Sequence, residues 1–211
     1  MIRLSEVSKV YRTDRVETLA LDHVSLDVEN GEFVSVMGPS GCGKSTLLNL
    51  MGLLDEPDGG SIALEGKPVA SYRDREVARL RNEKVGFVFQ TFHLIPDLTV
   101  LDNVALTVLA RQGKTRRLFS LADADRAVGA EAEEVLRQFG LSGKAGVLAG
   151  GISQGERKLL DVAVAYALRP KLLFLDEPTS GVSTREKAPI MDIVTGVVRA
   201  QGIPAVVIEH D

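Results

Sequence analysis

One nine-residue segment constrains this chain more than its composition does. Gly38-Pro39-Ser40-Gly41-Cys42-Gly43-Lys44-Ser45-Thr46 fits the spacing G-x-x-x-x-G-K-[ST], between a predicted strand, Phe33 to Met37, and a predicted helix, Thr46 to Met51. Its glycines let the backbone wrap so that successive N–H groups face one concavity, and the following helix adds its positive end. Such a loop holds phosphate oxygens with donors that need no reorganisation. Lys44 is then expected to reach the β- and γ-phosphates of a nucleotide, and the Ser45 hydroxyl to ligate Mg²⁺. A Gly-rich turn before an ordinary helix would have no packing use for Lys and Ser directly after Gly43.

A strand–loop–helix of this kind belongs in an α/β protein, and the rest of the chain has that rhythm. Short apolar runs bounded by Gly, Pro and Asp alternate with helical patterns, which predicts a mainly parallel sheet with strands at Phe33 to Met37, Val85 to Phe89, Leu172 to Leu175 and Ala205 to Ile208. Ile2 to Val10 and Leu19 to Val28 instead alternate apolar and polar residues around a polar turn at Arg12 to Glu17, the pattern of antiparallel strands with one solvated face. Ser61 to Leu64 with Glu65-Gly66 adds a strand and a turn. Between Phe92 and Gly151 the strands stop; Val100 to Leu109 and Asp123 to Phe139 carry helical spacing, with Glu131, Glu133 and Glu134 on the outer face. The expected division is residues 1–90 and 152–211 as a core with an antiparallel β subdomain, and 91–151 as an inserted helical subdomain. Arg111 to Arg117 is the basic cluster of the chain and reads as a solvated connection.

Composition excludes several classes. With 211 residues, 45% apolar and 26% charged, the chain is neither disordered nor collagen-like, and it is one large domain or one domain with an insertion. A net charge of −4 gives no general pull toward nucleic acid, so no such partner is expected. The single Cys42 cannot form an internal disulfide. No apolar run approaches the roughly 18 residues of a membrane span, so membrane work must go through a partner.

Two further segments carry chemistry. Leu172-Leu173-Phe174-Leu175-Asp176-Glu177 is an apolar run ending in two carboxylates; alone it is more often a strand and turn, but with a phosphate loop upstream Asp176 can hold Mg²⁺ through water and Glu177 can polarise an attacking water. Ser153 and Glu156 form an S-x-x-E capping box ahead of a predicted helix, Arg157 to Leu168.

The phosphate loop, Gln90 after its strand, Ile152-Ser153-Gln154-Gly155-Glu156, the Asp176-Glu177 pair and His210 occur in an order that resembles the nucleotide-binding domain of ABC transporters. The resemblance covers essentially the whole chain and implies a P-loop NTPase core that binds ATP with Mg²⁺. It implies that Gln90 senses Mg²⁺ and water, that His210 contacts the γ-phosphate, and that Tyr11 stacks on adenine, although an exposed Tyr of no function fits equally. Ile152 to Glu156 departs from the commoner Leu-Ser-Gly-Gly-Gln form but keeps Ser153 and Gly155. In the family this segment meets the γ-phosphate held by the other subunit, which implies a homodimer or a pair with a related ATPase. Ser183 stands where many members carry Asp, which puts the usual contact of that loop in doubt.

The first half, through Gly52-Leu53-Leu54-Asp55 and Gly86 to Pro96, is similar to the ATPases of lipoprotein-release and macrolide-efflux systems. Ser153 to Leu160 and Val207 to Asp211 look more like those of branched-chain amino-acid and urea importers, so cargo and direction stay open. Members generally continue past the histidine, whereas this chain stops at Asp211. The expected role is an ATPase on the cytoplasmic face of the cell membrane, driving a separate permease that docks beside Gln90 on Phe92, Leu94, Ile95 and Leu98; packing of those residues in the subdomain core is the alternative. A non-transport member acting on nucleic acid or ribosomes would carry coiled coils, a zinc insertion or a second cassette, and the sequence has none of these.

Overall fold

The structure, a computed structural model, describes residues 1–12, 16–91, 93–113 and 126–209. They form two compact units, one of Met1–Phe87, Lys171–Glu177 and Gln201–Asp211, the other of Val88–Pro170 and Pro178–Ala200.

The first unit contains two sheets. In the antiparallel one, β1 (Ile2–Arg12) pairs with β2 (Glu17–Val28) and with β4 (Gly59–Leu64), and β4 pairs with the short β5 (Lys67–Pro68). Ile2, Leu4 and Val7 are buried while Arg3, Ser5 and Glu6 face solvent. A register shift between Leu4 and Val7 keeps Val7 on the inner face, as a bulge can when it inserts one residue into strict alternation. The second sheet has the order β3 (Phe33–Met37), β8 (Ala205–Glu209), β7 (Leu172–Asp176) and β6 (Val85–Val88). Leu172 to Leu175 are all buried, the continuous apolar run of a central strand covered on both faces. Phe174 stacks on Phe87 with ring centroids 5.4 Å apart, an arrangement that contributes about 0.5–1.5 kcal/mol beyond area burial.

Two α-helices among the described residues complete this unit. The helix α1 (Lys44–Met51) follows β3 and buries Leu47, Leu48, Leu50 and Met51 in a core shared with Ile2, Leu4 and Phe174. The helix α2 (Asp74–Lys84) buries no residue completely and is oriented by charge: Asp74 and Glu76 lie in its first turn, Arg81 and Lys84 in its last, each opposing the helix dipole.

Among the described residues the second unit holds four α-helices: α3 (Val100–Arg111), α4 (Arg126–Gln138), α5 (Gln154–Ala167) and α6 (Thr184–Ala200). α3 packs on α4 and α5, and α5 on α6. The expected division places 152–211 with the core and 91–151 in the insertion; by compact packing, α5 and α6 group with α3 and α4.

Glu131 also departs from expectation. It is half-buried, not on the outer face, and accepts hydrogen bonds from Arg111 Nη2 at 2.7 Å and Arg169 Nη2 at 2.5 Å. Burial pushes its carboxyl up, but the two guanidinium bonds outweigh that and hold it below the ordinary value. Arg111, the first residue of the basic cluster, is therefore the end of α3 tied to α4; residues 114–117 lie outside the described residues.

Candidate nucleotide site

The register of the second sheet brings distant motifs to one edge. Met37 of β3 lies opposite Glu209 of β8, and Ile208 opposite Asp176 of β7, with both pairs parallel. The phosphate loop therefore leaves the sheet at the same carboxyl end as Asp176 and Glu177, with β8 between them, a separation of roughly 10 Å at two strand spacings. In open α/β sheets that crevice is where ligands bind.

The loop itself is shaped by glycine and by Lys44. Gly43 precedes α1 with φ 94°, and a Cβ there would stand 2.4 Å from the Ala20 carbonyl oxygen, so no other residue fits. Gly41, at φ 80°, is also in the left-handed region. Lys44 is buried at 7% exposure, and its ammonium donates to the carbonyls of Gly38 at 2.6 Å and Pro39 at 2.8 Å, closing the loop into a ring. Among the described residues no carboxylate lies within ion-pair distance of Lys44. No side chain caps α1, so its first N–H groups and positive end are left to a ligand. Ser45 is exposed on the first turn, Thr46 half-buried, and Pro39, Ser40 and Cys42 are exposed.

At the end of β7, Asp176 and Glu177 are both half-buried. The Glu177 N–H donates to the Ile208 carbonyl at 2.9 Å, and the residue adopts φ 50°, a left-handed conformation that glutamate enters at a cost. Such outliers concentrate at functional positions. Tyr11, in the same unit, is 40% exposed; its hydroxyl donates to Asp55 Oδ2 at 3.2 Å, and the Lys9 ammonium lies 5.5 Å from its ring centroid. A cation against the ring suits an aromatic that offers a face to a flat ligand. His210 lies outside the described residues.

Three of the predicted nucleotide-binding residues, Ser153, Gly155 and, third, Gln90, sit in the second unit, as does Ser183. Ser153 caps α5: its hydroxyl accepts from the Glu156 N–H at 3.3 Å, and Glu156 Oε2 accepts from the Ser153 N–H at 2.8 Å. That backbone bond, with Lys144 nearby, holds the Glu156 carboxyl below its ordinary value against the opposing effect of burial. Gly155, read in the sequence as room for a partner's nucleotide, is buried, and a Cβ there would meet Ile190 Cδ1 of α6 at 3.1 Å. The Ser183 hydroxyl, just before α6, donates to Glu186 Oε2 at 2.5 Å, which gives this serine a local partner.

The third, Gln90, exposes a residue that the sequence reading did not single out. Its carbonyl accepts from Lys158 Nζ at 2.9 Å, and the same ammonium lies 3.3 Å from the Ser180 hydroxyl. Lys158 is 1% exposed. The available signal was a lysine on the apolar face of α5, three residues after Gly155 and four before Val162, both buried.

Comparison with known proteins agrees with the geometry. The ABC transporter family model matches residues 21–180. The ABC transporter ATP-binding protein YknY of Bacillus subtilis is 37% identical over 212 residues, spanning all of this chain and 87% of its own length. The lipoprotein-releasing system ATP-binding protein LolD of Bordetella pertussis is 36% identical over 210 residues, again with 100% and 87% covered. Among solved structures, the ATP-binding cassette MJ0796, dimeric in a post-hydrolysis state with ADP and Pi, superposes with a TM-score of 0.80 at 34% identity, covering all of this chain and 88% of that one. The chain belongs to the ABC transporter family, as an ATP-hydrolysing ATP-binding subunit.

Proposed function

We propose that this subunit hydrolyses Mg-ATP at the edge formed by β3, β8 and β7, and that the cycle drives a separate membrane permease. The observation that carries this reading is the bare, lysine-closed start of α1 one strand away from a carboxylate pair. Lys44 exchanges its two loop carbonyls for phosphate oxygens and neutralises their charge. Ser45, Gln90 and, through water, Asp176 would hold Mg²⁺, which when bound would neutralise phosphate charge. These are hard oxygen donors of the kind that ion takes. Among the described residues no cluster of three His, Cys, Asp or Glu side chains forms a cage of its own, which fits an ion shared with substrate. Glu177 orients and deprotonates the attacking water, His210 contacts the γ-phosphate, and Tyr11 stacks on adenine with the face opposite Lys9.

Two subunits, either identical or related, would close over two nucleotides, with Ser153 presented to the partner's γ-phosphate at the start of α5. The dimeric cassette similar to this chain supports that arrangement. No described helix is long and apolar enough to cross a membrane, and the proposed location is peripheral, on the cytoplasmic face, through the permease. Ile95 supports docking near Gln90: it is 43% exposed, yet its main chain is pinned on both sides by the buried Asn103, whose side chain accepts from Ile95 N–H at 2.9 Å and donates to its carbonyl at 3.1 Å. An apolar side chain held rigidly in solvent suits a partner surface. Leu94 and Leu98 are half-buried, and Phe92 lies outside the described residues.

Separate measurement of ATP affinity and turnover tests the reading. Lys44→Ala should weaken both, whereas Glu177→Gln should bind ATP normally and turn over about 100-fold or more slowly. Normal turnover in Glu177→Gln would remove its assigned role.

A further inference from the structure

Lys158 has no part in the nucleotide chemistry above, and an ammonium at 1% exposure is costly unless its contacts hold something in place. Gln90 and Ser180, which accept from it, come from segments far apart in the chain. Gln90 lies two residues beyond β6, and Ser180 lies three residues beyond Glu177 at the end of β7. One turn further along α5, Asp161 is 4% exposed, and its Oδ1 accepts from the His93 N–H at 3.4 Å. The Phe89 and His93 rings meet edge-on, with centroids 5.2 Å apart. Lys158 and Asp161 thus take a carbonyl at Gln90 and an N–H at His93 from one helix. Gly181, next to Ser180, lies close to Gln154, since a Cβ on it would stand 3.2 Å from Gln154 Nε2.

We propose that Lys158 is a positioning residue for ATP hydrolysis, clamping the Gln90 main chain and the Ser180 hydroxyl to α5, the helix that begins at Ser153. The inference rests on the reading of Gln90 given under Proposed function. With the clamp in place, the segments bearing Gln90 and Ser180 and the start of α5, all within the second unit, keep one mutual geometry. Without it, Gln90 is held less accurately, while the phosphate loop, built entirely within the first unit, keeps its affinity.

The test uses the whole chain, with ATP affinity, kcat and Tm measured for each variant. Lys158→Met keeps the length and apolar stem of the side chain, and replacing a buried charge by such a group is often neutral or stabilising. The expected result is a kcat reduced about 10- to 100-fold, the loss that misplacement by about an ångström produces, with ATP affinity within about twofold of wild type and Tm not lowered. Ser180→Ala should lower kcat alone and add nothing to Lys158→Met, because both break the same clamp. A parallel fall in kcat, affinity and Tm would reduce Lys158 to a structural role and overturn the proposal, as would effects that multiply in the double variant. If Lys158→Met does not fold, Ser180→Ala decides, and an unchanged kcat there also overturns it. Loss of activity in Glu177→Gln alongside normal activity in Lys158→Met would sink this inference and leave the proposed function standing; activity surviving in Lys44→Ala and Glu177→Gln would sink the function itself.

Discussion

The starts of α1 and α5 solve the same physical problem in opposite ways. Each leaves four backbone N–H groups without helical partners. α5 satisfies its own with the reciprocal Ser153 and Glu156 bonds, and α3 does likewise with Thr99 and Asp102. α1 has Gly43 before it and no side-chain cap, and the Lys44 ammonium is turned onto loop carbonyls. A self-capped helix start is stable without help, whereas an uncapped one beside a buried cation is completed by an anion. The two units therefore differ in what a nucleotide does for them.

The largest effect should follow from closing the uncapped start. In Gly43→Ala the new methyl meets the Ala20 carbonyl, and the left-handed backbone is strained as well. Displacing two charge-assisted bonds to phosphate would cost about 3–6 kcal/mol of ATP binding, and titration calorimetry should show affinity falling by orders of magnitude. Gly155→Ala meets side-chain atoms alone, Ile190 Cδ1 at 3.1 Å and Glu186 and Val182 at 3.8 Å, and should leave that affinity unchanged.

Next in size is the response to ligand. ATP at 100 times its Kd should stabilise the first unit by about 2.7 kcal/mol, and hydrogen exchange should show new protection at residues 43–47 with little change at 153–157 in the monomer. Equal protection at both starts would end the contrast.

Smaller again is the cap itself: Ser153→Ala should destabilise by about 1 kcal/mol, read as a lower Tm, with monomer ATP affinity intact. The smallest effect is in pH. The Glu156 carboxyl is held below its ordinary 4.5 chiefly by the Ser153 N–H, so the stability it adds is present above that value and is lost as pH falls through the lowered folded one. Glu156→Gln should remove this acid sensitivity, worth less than about 1 kcal/mol, while α1 has no cap carboxylate to titrate. Thermal melts from pH 6 to pH 3 compare the two.

Local pattern made much of the fold legible. The strands at 33–37, 172–176 and 205–209 and the helices at 44–51 and 154–167 lie within three residues of their expected limits, because apolar periodicity, glycine and capping residues act over a few neighbours. α2 and α6 were not anticipated. α2 buries nothing completely, so Val77 and Leu80 gave too weak a stripe, and Pro189 inside α6 masks a helical pattern. The burial of Glu131 was invisible because its partners Arg111 and Arg169 lie on other segments.

By itself, then, the sequence determined the chemistry on offer: a glycine loop ending in Lys44 and Ser45, a strand ending in Asp176 and Glu177, and a helix opened by Ser153. Each follows from residues adjacent in the chain. The tertiary structure decided which of these meet, since strand order and register depend on crossovers and burial that local propensity does not encode. It placed β8 between the phosphate loop and the carboxylates, and it buried Lys158 where Gln90 and Ser180 converge. A lysine reads as a solvent-facing residue until the packing around it is known, because only packing can remove the water that would otherwise hold its charge.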